Sequence, residues 1–214
     1  MNSWGIVLFV GLIGAGKSTW LGEFAKKGIP SVLADDLFKS VVYHESNRSR
    51  LAKVFEEDVL DASGFPLFTR LRGLLFSLDS QGRDGCKKRQ DALLYEFSED
   101  FFNALHQEVI KSQSLSNSRF VIVEHSLALR DGWVKKLNPA HVVSLHCSRD
   151  VRLKRIIARR GDISVATYEA IMDMQPSDEE HHAMSAMGGV INHDSNCSLI
   201  EVREAVSQLL EFSF

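Results

Sequence analysis

The chain has 214 residues, enough for one α/β domain with appended pieces. A hydrophobic content of 44% and a charged content of 25% are those of an ordinary globular protein, and no stretch reaches the length of a membrane span. The net charge of −3 excludes any overall electrostatic pull toward nucleic acid or an anionic membrane, so neither is expected as a partner.

Ile6–Val10 reads as a short buried strand and runs into Gly11-Leu12-Ile13-Gly14-Ala15-Gly16-Lys17-Ser18, which fits the pattern G-x-x-x-x-G-K-[ST]. Thr19–Lys27 behind it reads as a helix ending at Gly28. Strand, glycine-rich loop and helix, in that order, are the context a P-loop requires. A second strand is expected at Ser31–Leu33, others at Phe120–Val123 and His141–His146, and a short fifth at Val190–Ile191. Strands alternating with helical patterns predict an α/β fold, a P-loop NTPase-type doubly wound parallel sheet flanked by helices. From about Asp36 to Ser116 the pattern is helical, with a turn expected at Gln81–Gly85. The last helix opens at Ser198, and Glu201 three residues on completes a capping box. The expected organisation is a nucleotide-binding core of residues 1–35, 117–148 and 189–214, a helical acceptor-binding lobe over 36–116, and a helical lid over 149–188.

The loop dictates the first part of the chemistry. Gly11, Gly14, Ala15 and Gly16 let backbone N–H groups curl around phosphate oxygens, and the helix N-terminus adds positive dipole at Ser18 and Thr19. Lys17 would reach the β- and γ-phosphates of ATP, and the Ser18 hydroxyl would ligate Mg²⁺. Phosphoryl transfer also needs a carboxylate at the acceptor hydroxyl and cations around the moving group. Asp35 and Asp36 follow the second strand, where strand ends converge on the crevice. One is expected to be catalytic, Asp35, and the other to sit in the first turn of a helix. Glu124 ends an apolar strand in the manner of a Walker B acid that assists Mg²⁺, although a polar strand exit explains it equally. Arg152, Arg155 and Arg159 recur at helical spacing and are expected as a lid over the phosphates. His181 and His182 follow three acidic residues and are expected at the surface. Cys86, Cys147 and Cys197 form no CxxC or metal spacing, which suggests reduced thiols and a cytoplasmic location.

Several of these residues together resemble the dephospho-CoA kinase family. Gly11–Thr19, Phe24-Ala25, Gly28-Ile29, and Ala34-Asp35 through Lys39 to Val41-Val42 are similar to its opening segment. Asp84-Gly85 with Arg89 and Phe97, Ala104-Leu105-His106 with Val109, Gln175, and Val190-Ile191-Asn192 resemble later elements. The resemblance implies transfer of the γ-phosphate of ATP to the ribose 3′-hydroxyl of dephospho-CoA. It implies Asp35 as the base, Lys17 and Arg155 as catalytic cations, and Arg159, Asn192 and His193 at the nucleotide. It implies Lys39, Arg89 and His106 at the acceptor. The chain departs from the family pattern at Tyr43–Gly82, which is longer, and at Glu124-His125-Ser126-Leu127. These departures fall where the acceptor should bind. They leave room for a kinase acting on another nucleoside, nucleotide or small alcohol, or for a nucleotide-binding regulatory module.

Overall fold

The computed structural model describes residues 5–55, 59–76, 82–126, 128–129, 132–159, 165–186, 190–194 and 198–211. Five strands form one parallel sheet in the order β2-β3-β1-β4-β5: β1 (Gly5–Gly11), β2 (Ser31–Leu33), β3 (Phe120–Glu124), β4 (His141–His146) and β5 (Val190–Asp194). Strand β1 is central and pairs with β3 and β4, with Phe9 opposite both Glu124 and Val143. A strand covered on both faces needs apolar residues without alternation, and Leu8, Phe9 and Val10 are fully buried. The five strands expected from the sequence are those observed, with β5 running three residues further.

Helices α1 (Lys17–Lys26) and α10 (Leu199–Glu211) pack together against one face of the sheet. Their core joins Trp20 and Phe24 to Phe9, Val143, Leu145, Val202 and Val206. Phe9 meets Trp20 and Phe24 at ring-centroid distances of 5.7 Å in each case. The capping box of α10 forms as expected: Ser198 N donates to Glu201 Oε2 at 2.6 Å, and Glu201 N donates to Ser198 Oγ. Helix α9 (Asp178–Ser185) packs on β4 and β5, and α7 (Arg149–Arg159) follows β4. The short α6 (Trp133–Leu137) lies between β3 and β4 in the chain.

The chain forms two compact units. One comprises Met1–Ala34, Glu108–Gly161 and Gln175–Phe214 and carries the sheet. The other comprises Asp35–Gln107 and Asp162–Met174 and is helical. It holds α2 (Ala34–Val42, from Asp35 on), α3 (Arg48–Phe55), α4 (Phe68–Phe76), α8 (Val165–Met174) and most of α5 (Gly82–Ser114). The expected lid segment 149–188 is thus divided between the units, and residues 108–116 belong with the sheet. The helical unit has its own core of Val42, Leu51, Phe55, Val59, Leu71, Leu75, Leu93 and Phe97.

Where a turn is expected at Gln81–Gly85, the structure has helix from Gly82 on. Gln81 lies outside the described residues, and residues 82–85 are the first turn of α5. Glycine costs least at a helix start, Asp84 favours the positive end of the dipole, and Gly85 and Cys86 are buried. Side chains of α5 then satisfy the open carbonyls at the end of α4. Arg89 Nε donates to Leu74 O at 2.6 Å, and Gln90 Nε2 donates to Leu75 O at 2.9 Å.

Candidate active site

The glycine-rich loop joins β1 to α1. Gly16 caps the helix at φ 92°, and Gly14 stands at φ 79°, both left-handed conformations that suit glycine. A Cβ on Gly14 would stand 2.7 Å from the carbonyl oxygen of Arg152, so α7 closes off one side of the loop. Ala15 N donates to Leu12 O at 3.0 Å, and Thr19 N donates to Gly16 O at 2.9 Å. Ser18 and Thr19 are exposed in the first turn of α1.

Lys17 turns back over the loop. Its ammonium donates to Gly11 O at 2.6 Å and lies 3.3 Å from Glu124 Oε1. Both side chains are about nine-tenths buried, so the pair is screened far less than a surface pair. Glu124 is the last residue of β3, and Ser126 Oγ donates to it at 3.3 Å. The exposed Ser18 hydroxyl and the Glu124 carboxylate offer the oxygen donors that Mg²⁺ takes when phosphate oxygens and water complete its shell. Among the described residues, no group of three or more His, Cys, Asp or Glu could hold a metal as a protein-only cage.

Arg152 does not join an open row of arginines. It is 3% exposed and ion-paired with Asp178 at 2.5 Å, because Ile156 one turn on faces the core and carries position 152 inward with it. That spacing was readable in the sequence; the partner Asp178, across an intervening segment, was not. Arg155 is half-buried, with Nη1 3.5 Å from Cys147 Sγ. Arg159 ends α7, and its side chain lies outside the described residues.

A cleft of about 580 Å³ opens at the ends of β4 and β5 beside loop residue Leu12. His146, Cys147, Arg152, Asp178 and His193 are among its walls. The His193 ring packs against Trp20 with centroids 5.0 Å apart and planes tilted by 50°, and burial lowers its pKa. Asn192 is already engaged: Oδ1 lies 2.7 Å from His146 Nε2, and Nδ2 donates to Ser185 O at 3.2 Å. His181, expected at the surface, is buried at 3% exposure with Nε2 3.1 Å from Ser144 Oγ. Burial, reinforced by the positive or protonatable neighbours His146, Lys17 and Arg152, lowers its pKa to about 4. His182 is exposed as expected. Ser144 was the available signal, a polar residue inside an apolar strand that requires a buried partner.

The remaining expected site residues lie in the helical unit. Asp35 and Asp36 both fall in the first turn of α2, which begins at Ala34 directly after β2. Asp35 is exposed, and Asp36 pairs with Lys39 at 3.1 Å on the surface. Arg89 and His106 share α5 but are separated by about 25 Å of helix rise, on different faces. Arg89 holds the end of α4, and His106 is exposed.

The comparisons with known proteins agree on a family. A family model for dephospho-CoA kinase (CoaE) matches residues 5–198. A dephospho-CoA kinase of Arabidopsis thaliana is 29% identical over 210 residues, covering 96% of this chain and 82% of its own length. In fold, the chain resembles TT1252 from Thermus thermophilus with a TM-score of 0.73 and 24% identity, at 97% coverage of each chain. It also resembles a dephospho-CoA kinase from Campylobacter jejuni with a TM-score of 0.59 and 20% identity, covering 96% of this chain and 95% of the other. Such a kinase takes ATP as its phosphoryl donor, and among the described residues no helix is long and apolar enough to cross a membrane. With the P-loop formed and the family model matching nearly the whole length, the chain belongs to the dephospho-CoA kinase family, phosphotransferases with an alcohol group as acceptor.

Proposed function

We propose that this kinase transfers the γ-phosphoryl group of ATP to the ribose 3′-hydroxyl of dephospho-CoA, giving CoA and ADP. The observation that carries the reading is the seat of Lys17, 2.6 Å from a loop carbonyl and 3.3 Å from Glu124, in a chain matched to the family over residues 5–198. Amides of Gly14, Gly16, Lys17 and Ser18 hold the phosphates, Ala15 and Thr19 shape the loop through their own backbone bonds to Leu12 and Gly16, and Lys17 follows the β- and γ-oxygens. Gly11 supports the turn into the loop. Ser18 and Glu124 would hold Mg²⁺ together with phosphate oxygens, and the ion would supply charge neutralisation at the transferring group. Asp35 accepts the hydroxyl proton as the new O–P bond forms and the bond from the γ-phosphorus to ADP breaks. Arg155 and Arg159 supply forked donors to the moving group, and adenine lies beside the backbone of Asn192 and the ring of His193. Lys39 and His106 face the acceptor, and Arg89 shapes its binding unit by holding α4. Cys86 and Cys147 are not joined in a disulfide, which supports a reducing, cytoplasmic location.

The test is ADP formation from ATP and Mg²⁺ with and without dephospho-CoA, with CoA identified as product. Strong stimulation with CoA formed is expected. Asp35→Asn should bind ADP within about twofold of the parent and lose kcat by about 10²–10⁴-fold; retained turnover removes Asp35 from the role. The long segment at residues 43–82 favours one second reading, a different acceptor alcohol. ADP binding without stimulation by dephospho-CoA, followed by turnover in an acceptor screen, would establish it.

A further inference from the structure

Two side chains from outside the phosphate loop claim both backbone polar groups of Ile13. Its N–H donates to Gln175 Oε1 at 3.0 Å, and its carbonyl accepts from Arg152 Nη1 at 3.4 Å. The same guanidinium donates from Nε to Cys147 O at 3.1 Å, at the exit of β4, and from Nη2 to Asp178 Oδ1 at 2.5 Å. The second Asp178 oxygen accepts from Arg149 N at 3.0 Å in the first turn of α7. One planar fork thus joins the loop, the end of β4 and the start of α9. Only arginine has enough fixed donors to do so. Its side chain is 4% exposed, so a lost partner is not replaced by bulk water. The next loop residue, Gly14, lies directly under the backbone of Arg152.

We propose that Arg152 is a positioning residue of the phosphate loop, which with Asp178 and Gln175 fixes Ile13 and so aims the amides of Gly14, Gly16, Lys17 and Ser18 at the nucleotide. It acts through the loop and touches no reacting atom. Segment 175–178, which leads into α9, and the loop then move as one body, so nucleotide affinity depends on side chains that make no phosphate contact. The proposal rests on the reading of this loop as the nucleotide site.

The experiment is titration of ADP into the full-length parent, Arg152→Gln, Asp178→Asn and Gln175→Ala, with a melting temperature for each. Arg152→Gln should weaken ADP binding about tenfold or more, because it removes charge-assisted hydrogen bonds from a buried site. Asp178→Asn and Gln175→Ala should each weaken it severalfold. The Arg152→Gln/Asp178→Asn double variant should bind about as weakly as Arg152→Gln alone, since both act through one strut. In turnover, the loss should fall on KM for ATP rather than on KM for the acceptor, a split that general loosening of the fold would not produce. Folded variants that bind ADP within twofold of the parent overturn the proposal. Should Arg152→Gln fail to fold, the other two single variants decide by the same criterion. A parent that does not bind ADP removes the nucleotide-site reading and this proposal with it; a binding parent with unaffected variants removes this proposal alone.

Discussion

His181 sits in a sequence context of Asp178-Glu179-Glu180 that reads as solvated, yet its ring is enclosed between α9 and β4. The folded protein therefore keeps it neutral down to about pH 4, whereas an unfolded chain protonates it near pH 6.5. Between those values the unfolded state binds more protons. Stability from this residue is therefore complete above about pH 6.5 and is lost as the pH falls toward 4. The loss amounts to up to roughly 3 kcal/mol. Urea midpoints measured from pH 4 to 7 should rise with pH in the parent and rise less in His181→Gln. Identical slopes would show that His181 does not titrate as described. Residues of this kind were the least legible in the sequence. His181, Arg152 and Asn192 are each defined by partners 26 to 46 positions away, at Ser144, Asp178 and His146. Residue type and local spacing carry no record of such partners.

At the scale of elements the sequence was a far better guide. The strands show as unbroken apolar runs because both faces of a parallel sheet are covered, and the phosphate loop shows because its glycines answer a local backbone requirement. The start of α5 departs from its local sequence preference for the complementary reason. Gly82 and Gly85 read as turn residues, and only the burial of Gly85 and Cys86 and the ties from Arg89 and Gln90 to α4 outweigh that preference. Glycine within α1 provides a quantitative check. Gly22 is exposed in mid-helix, without a positive φ, and a Cβ there would meet nothing within 4 Å. Gly22→Ala should raise stability by about 0.5–1 kcal/mol and the melting temperature by about 1–4 °C. Thermal unfolding measures it, and a lower melting temperature would contradict the open environment described.

At the scale of the molecule, two cores divide the work of stability. Leu51 is fully buried in the core of the helical unit, a cluster separate from the sheet cluster of Phe9, Trp20 and Val206. Leu51→Ala should cost about 2–5 kcal/mol by opening a cavity there. If that unit binds the acceptor, the folded variant should show a higher KM for dephospho-CoA and an ADP affinity within twofold of the parent. Equal losses on both substrates would place acceptor binding elsewhere. The centre of the sheet has a further consequence, for the order in which the chain assembles. Strand β1 leaves the ribosome before the other four strands, but its neighbours are β3 and β4, with Gly5 opposite Phe120 and Val7 opposite His141. At usual translation speeds the first of these partners follows roughly 6–23 s later. In that interval the most apolar strand and the phosphate loop behind it have no sheet to join, while Asp35–Gln107 can condense around its own local contacts. Nascent chains arrested before residue 120 should therefore need the most help from chaperones, and the nucleotide site is among the last features of this protein to come into being.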